Sequence, residues 1–75
     1  MLIYIVYSKN FESNAKSLSG AIKDKWSDAK VNLMGTFGKT KSFSRYQVQI
    51  DKSMLYHSDS VTDNNSIIDL IEERL

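Results

Sequence analysis

The most informative stretch of the chain for predicting its fold is Leu2-Ile3-Tyr4-Ile5-Val6-Tyr7. A short apolar run rich in β-branched and aromatic residues predicts a continuously apolar, buried strand. It is far shorter than the roughly 20 residues that cross a bilayer. It also has no basic leader and no small-residue cleavage site. We therefore interpret it as the first strand of a soluble domain and expect no membrane association.

A helix and a second strand are predicted to follow. Between about residues 12 and 27, apolar side chains recur at steps of three and four, which indicates an amphipathic helix. These side chains belong to Ala15, Leu18, Ile22 and Trp26. Residues 30–34 alternate between polar and apolar types, so we expect a strand there, and the glycines of residues 35–42 predict a loop.

The second half of the chain predicts a hairpin and a last helix. Residues 46–50 alternate as in a half-buried strand, and a tight turn at residues 51–52 leads into a fourth strand at residues 53–58. The last helix is predicted to be capped by Ser66, which stands three residues before Asp69 in a spacing similar to a capping box.

The resulting order is β-α-β-β-β-α. A β-α-β unit gives parallel strands through a right-handed crossover, whereas a hairpin adds antiparallel strands. We therefore expect an α/β fold with a mixed four-stranded sheet and two helices. A length of 75 residues leaves room for one domain, residues 1–75, with a small core.

Composition argues against the commonest enzyme classes. The chain has no cysteine, so it has no thiolate nucleophile, redox dithiol or cysteine-ligated zinc site. Its one histidine, His57, cannot form a histidine pair for a metal. Ser8 and His57 are a conceivable nucleophile and base, but no partner acid or oxyanion loop is recognisable. We expect a protein that is not an enzyme and that has no metal or cofactor.

The order of elements and several local stretches resemble the selenoprotein W family. Val6 and Tyr7 end the first strand as in that family, residues 51–58 are similar to its hairpin, and Gly35 and Gly38 echo its glycine-rich connection. The resemblance implies a small thioredoxin-like domain. The family has a cysteine and a selenocysteine or second cysteine after its first strand.

Ser8 and Phe11 stand where the resemblance places these two redox residues. A serine hydroxyl does not cycle through a disulfide, and phenylalanine has no nucleophile. We therefore expect these two positions to be degenerate and the family's thiol chemistry to be lost. One alternative is a redox-inactive module that still binds other protein clients.

Charge is distributed unevenly along the chain. Residues 59–75, called the C-terminal segment below, hold five acids and one base, a net charge of 1 − 5 = −4. Residues 1–58 hold nine bases and four acids, a net charge of 9 − 4 = +5. Such asymmetry is typical of a protein that binds a charged partner.

The C-terminal segment permits two interpretations. Its aliphatic residues gather on one helical side, so they can close the core of the domain. The spacing of these aliphatic residues also matches a motif by which acidic transactivation segments dock as helices into hydrophobic grooves. Residues 63–71 resemble the acidic activation segment of the RelA subunit of NF-kappaB. The predicted partner-binding residues are Asp59, Asp63, Ile67, Ile68, Asp69, Leu70 and Ile71.

A domain similar to selenoprotein W that lacks the redox residues and ends in a RelA-like acidic segment resembles the small orthopoxvirus inhibitors of NF-kappaB that act through the coactivator CBP. This resemblance implies a viral immune-evasion protein of the host cell cytoplasm and nucleus. It would mimic an acidic transactivation segment and occupy a KIX-type coactivator domain.

Two other surfaces remain as alternatives. Lys39, Lys41 and Arg45 stand beside Phe37 and Phe43, a composition that can contact nucleic acid. Three bases without an RNA-binding signature favour a solvated loop instead. An exposed edge strand is also able to make a homodimer, which would give a structural module.

Overall fold

The computed structural model describes residues 1–36 and 46–75. Its elements are β1 (Leu2–Ser8), a 3-10 helix (Lys9–Phe11), α1 (Glu12–Lys25), β2 (Lys30–Thr36), β3 (Tyr46–Ile50), β4 (Ser53–Ser58) and α2 (Asn64–Arg74). The predicted order β-α-β-β-β-α is confirmed. The predictions on the central loop concern residues outside the described part, namely Phe37, Gly38, Lys39, Lys41, Phe43 and Arg45.

The four strands form one mixed sheet in the order β2-β1-β3-β4. Strand β1 pairs in parallel with β2 and antiparallel with β3, and β3 pairs antiparallel with β4. This arrangement confirms the expected α/β class and is consistent with a single small thioredoxin-like domain. Among the strands of residues 1–36 and 46–75, β2 and β4 are therefore at the edges of the sheet.

The core lies on one face of the sheet. Because successive side chains of a strand point to opposite faces, the odd positions of β1 lie on one side. Ile3 faces Ile50 and Ile5 faces Val48 across the β1–β3 pair, and all four side chains are buried. The buried residues of both helices join the same cluster, namely Ala15, Leu18, Ile22, Ile67 and Ile71. Both helices therefore cover this face.

Three even positions of β1 are only half-buried. Leu2, Tyr4 and Val6 point to the face opposite the helices. The predicted buried strand is therefore fully buried at Ile3 and Ile5, on the side of the helices, and only half-buried at Leu2, Tyr4 and Val6. An apolar run of this length fits a central strand of a two-layer fold as well as a strand enclosed between two layers.

Strand β2 is longer than predicted. It continues through Gly35 to Thr36, because it pairs with β1 as far as Ser8. Gly35 pairs with Tyr7, and a Cβ at position 35 would lie 3.3 Å from the Tyr7 hydroxyl oxygen. The glycine therefore leaves room for the Tyr7 ring, and it belongs to the strand instead of starting the loop.

Helix α1 ends at Lys25, two residues before the predicted end. The Trp26 N–H still bonds to the Ile22 carbonyl at 2.8 Å, but Trp26 has an extended backbone with φ −126° and ψ 91°. The Trp26 side chain stays half-buried against the core. Hydrophobic periodicity therefore extends past the last residue with helical dihedral angles.

The turn between β3 and β4 is fixed by two residues with positive φ. Asp51 has φ 46° and Lys52 has φ 72°. Two-residue hairpin turns with positive φ at both positions match the right-handed twist of the flanking strands. Asp51 also anchors the turn to β1, since its carboxylate accepts a hydrogen bond from the Leu2 N–H at 3.1 Å.

Candidate functional site

Helix α2, the centre of the C-terminal segment, packs on the sheet through two side chains. Ile67 and Ile71 are both fully buried. They stand four residues apart, so they lie above one another on one side of the helix. They belong to the same buried cluster as α1 and the sheet. In the free protein these two predicted partner-binding residues therefore serve the core.

Ile68 and Leu70 are half-buried and flank this buried side. At 100° per residue they lie on opposite margins of the helix, one to either side of Ile67 and Ile71. The solvent side between them is polar and acidic, with Asn65, Ser66, Asp69, Glu72 and Glu73 exposed. A docked α2 therefore presents acids with one aliphatic residue at each margin, and does not present the whole aliphatic motif.

Asp63 occupies the N-cap position of α2, although its side chain makes no capping hydrogen bond to the first turn. Its backbone is extended, with φ −67° and ψ 153°, and the helix begins at Asn64. The prediction that Ser66 caps the helix is wrong. The Ser66 hydroxyl instead donates a 2.7 Å hydrogen bond to the Asp63 carboxylate. This hydrogen bond holds the pKa of Asp63 below its ordinary value of 3.8.

We expect the stability of α2 to depend on pH through the titration of Asp63. A carboxylate with a lowered pKa stabilises the folded state above its unfolded pKa, and this contribution is lost as the pH falls through the folded pKa. Hydrogen-exchange protection of α2 should therefore fall on acidification below about pH 4. The Asp63→Asn variant should not show this acid-dependent fall in protection, whereas the control Asp69→Asn, also at an exposed residue, should show it. A wild-type profile in Asp63→Asn would contradict the assignment.

Two polar contacts join α2 to α1. The Asn64 side-chain amide donates a 3.0 Å hydrogen bond to the Ser17 hydroxyl. The Lys25 ammonium forms an ion pair with the Glu72 carboxylate, and both side chains are about half-exposed. Exposed pairs of this kind contribute little to stability. These contacts therefore orient α2, whereas the buried isoleucines hold it.

The end of α2 contacts the edge strand β4. The Arg74 guanidinium donates a 3.2 Å hydrogen bond to the Met54 carbonyl oxygen. Leu75 follows with 69% of its surface exposed. Asp59, the first residue of the segment, is exposed in the connection between β4 and α2. The structure thus places the four aliphatic residues in α2, Asp63 at its N-cap position and Asp59 in the connection before it.

The two degenerate redox positions lie within ordinary packing. Ser8 is buried at the end of β1. The Phe11 ring stands edge-on to the Tyr46 ring at a centroid distance of 6.1 Å, and Tyr46 meets Tyr56 in the same way at 6.3 Å. Burial, with a smaller contribution from Tyr56, raises the pKa of Tyr46 to about 12. An aromatic cluster therefore stands where the resemblance places redox chemistry.

Ser8 and His57 stand on strands that are not neighbours in the sheet. Strand β3 lies between β1 and β4. Two inter-strand spacings of about 4.8 Å therefore separate the two backbones. His57 is exposed on β4, whereas Ser8 is buried.

Residues 1–36 and 46–75 contain no group of three or more acidic, histidine or cysteine residues that could hold a metal ion. Neither helix in this part of the chain is long and apolar enough to cross a bilayer. Comparison of the chain with protein-family models, with curated proteins and with solved structures found no match. The resemblances to selenoprotein W and to orthopoxvirus inhibitors therefore stay predictions.

Proposed function

We propose that the chain is a non-enzymatic interaction protein whose C-terminal segment binds a transcriptional coactivator. The partner is a domain of the KIX type, as in CBP, with a hydrophobic groove and a basic rim. By occupying this groove, the chain would compete with the RelA activation segment and inhibit NF-kappaB-dependent transcription. This activity would take place in the cytoplasm and nucleus of an infected cell.

The observation that carries the proposal is the division of α2 into an aliphatic side and an acidic side. Asp69, Glu72 and Glu73 are exposed, while Ile67 and Ile71 face the core. Groove-binding helices use this division, because aliphatic side chains fill the groove and acids favour encounter with a basic rim. The RelA-like order of residues 63–71 gives the proposal its specific partner.

The proposed binding requires α2 to leave the sheet. Ile67 and Ile71 cannot enter a groove while they are buried in the core. Ile67 and Ile71 are the buried residues of α2, and elements with few buried apolar contacts open locally more readily than others. Its polar contacts to α1 are solvent-exposed. We therefore propose that the same aliphatic side closes the free domain and enters the partner's groove after α2 detaches.

The test compares two leucines that are matched in burial. Leu70 lies in α2 and Leu55 in β4, and both are half-buried against the core. Truncating either residue removes a similar packing contact from the domain. We expect Leu70→Ala to weaken binding of the full chain to a KIX domain about tenfold or more, as for a residue at the centre of an interface. Leu55→Ala should bind as the wild type does.

Calorimetric titration of each purified variant into the KIX domain measures this difference. Circular dichroism establishes that both variants remain folded. Equal affinities for the two variants would contradict the proposal, since the segment would then contribute no groove contact. A reporter of NF-kappaB-dependent transcription in cells should rank the two variants in the same order.

A further inference from the structure

We propose that the chain forms a two-fold symmetric dimer by antiparallel pairing of its β2 edge strand with β2 of a second copy. This surface lies at the sheet edge opposite β4 and is independent of the proposed coactivator binding. The argument rests on the backbone register, on two exposed apolar side chains and on the charge of the strand.

The register shows which backbone groups of β2 point away from the sheet. The Lys30 N–H bonds to the Met1 carbonyl at 3.0 Å, so Lys30 directs its backbone groups toward β1. In a strand, successive residues direct these groups to opposite sides, so the residues of even number in β2 face β1. The outward N–H and C=O groups therefore belong to Val31, Leu33 and Gly35.

These three residues are symmetric about Leu33. In an antiparallel pair centred there, Leu33 faces Leu33 of the second copy, and Val31 faces Gly35 of the second copy at either side. Each such facing pair exchanges two hydrogen bonds. Counted within β2 (Lys30–Thr36), a register shifted by two residues in either direction has one facing pair fewer. The outward groups of β2 therefore select a single antiparallel register with its own copy.

Two large apolar side chains on β2 are exposed and would be covered by this pairing. Leu33 is 37% exposed on the side of the helices, and Met34 is 50% exposed on the opposite side. In the proposed register Leu33 contacts its own equivalent, while Met34 lies opposite Asn32 of the second copy. Opposed aliphatic side chains stabilise a strand pair.

Charge favours a second copy over a foreign strand. Residues 31–36 carry no charge, and Lys30 would lie opposite uncharged Thr36. Two copies of β2 can therefore pair without repulsion between like charges. A charged peptide would find no opposite charge on residues 31–36 by which it could be selected. The other edge strand, β4, has an irregular register next to Val48, and Arg74 already bonds its Met54 carbonyl. Edges modified in these ways resist pairing.

Such a dimer would have one continuous sheet. The two-fold axis stands normal to the sheet at Leu33, so the helices of both copies lie on the same side. The two β4 strands lie at the outer edges, as far from the axis as the sheet allows. The dimer would therefore carry two C-terminal segments.

The test is the mass of the full chain in solution. A strand pairing of this length buries less than the roughly 1,600 Å² of a standard interface, so we expect a weak, reversible dimer. Sedimentation equilibrium from about 1 μM to about 1 mM should show the mass rise from monomer to dimer. Leu33→Lys places two like charges at the axis and should raise the dissociation constant at least about tenfold. Met54→Lys adds the same charge to the other edge strand and should dimerise as the wild type does.

A mixing experiment tests the register itself. Leu33→Lys mixed with Leu33→Glu should restore a dimer, since opposite charges would then meet at the axis. Concentration-dependent amide protection should appear at Val31, Leu33 and Gly35. A wild-type chain that stays monomeric throughout would overturn the proposal, as would a Leu33→Lys chain that dimerises normally. Loss of the dimer in Met54→Lys, or a mixture that stays monomeric, would do the same.

Discussion

Replacing Ile71 with alanine is expected to lower the free energy of unfolding by about 2–5 kcal/mol. The Ile71 side chain is fully buried in the cluster that joins both helices to the sheet. Truncation removes its transfer free energy and leaves a cavity. A domain of 75 residues has a total stability of roughly 4–11 kcal/mol at 0.05–0.15 kcal/mol per residue. The substitution therefore removes a large share of the stability of the whole domain.

The matched control is Ile68→Ala, the same truncation three residues earlier on the same helix. Ile68 is half-buried at the margin of α2. Its loss should cost clearly less, because part of its surface is already in water. Urea denaturation followed by circular dichroism measures both free energies. If both substitutions cost equally little, α2 is not docked in solution, and Ile71 does not belong to the core of the domain.

The sequence predicts most of this fold because each element has its own local pattern. The alternation in residues 46–50 and the tight turn at residues 51–52 predict the two strands of the hairpin, which the structure places at Tyr46–Ile50 and Ser53–Ser58. The period of Ala15, Leu18 and Ile22 predicts α1 because side chains at three- and four-residue spacing share a face. Each of these patterns relates residues that are close in the sequence, so it can be recognised without knowledge of the tertiary structure.

The boundaries that sequence patterns miss depend on contacts between distant residues. Gly35 is typical of a loop, but its pairing with Tyr7 of β1 keeps it in β2. The burial of β1 on one face only depends on both helices packing on the same side, which neither helix encodes by itself. The true cap of α2 is ambiguous for a different reason. Asp63 and Ser66 are both residue types that favour the N-cap position, and the extended backbone of Asp63 immediately before Asn64 decides between them.

Prediction of the candidate site from the sequence is limited in the same way. The sequence predicts that α2 is amphipathic and acidic, and this much follows from helical spacing. It does not rank the four aliphatic residues, because the buried side of α2 is defined by where the helix meets α1 and β4. The pairing of Lys25 with Glu72 is likewise invisible in the sequence, since 47 residues separate the two side chains. Only the docked position of α2 brings these charges together.

The second large effect is expected in the affinity of the isolated C-terminal segment. A peptide of residues 59–75 should bind a KIX domain at least about 100-fold more tightly than the full chain does. In the full chain, binding must first expose Ile67 and Ile71, and removing each side chain from the core costs about 1.5–3 kcal/mol. Undocking therefore costs about 3–6 kcal/mol and lowers the apparent affinity by the small fraction of chains that are undocked.

The cost of ordering the helix does not remove this difference. A free peptide of this length is largely unfolded in water and must form the helix on binding. An undocked α2 has lost the packing that stabilised it, so it carries the same cost, and the two contributions largely cancel. Calorimetric titration of peptide and full chain into the same domain compares the affinities directly. Equal or tighter binding by the full chain would contradict undocking. The partner would then contact the exposed acids of a docked α2, and Ile67 and Ile71 would serve the core alone.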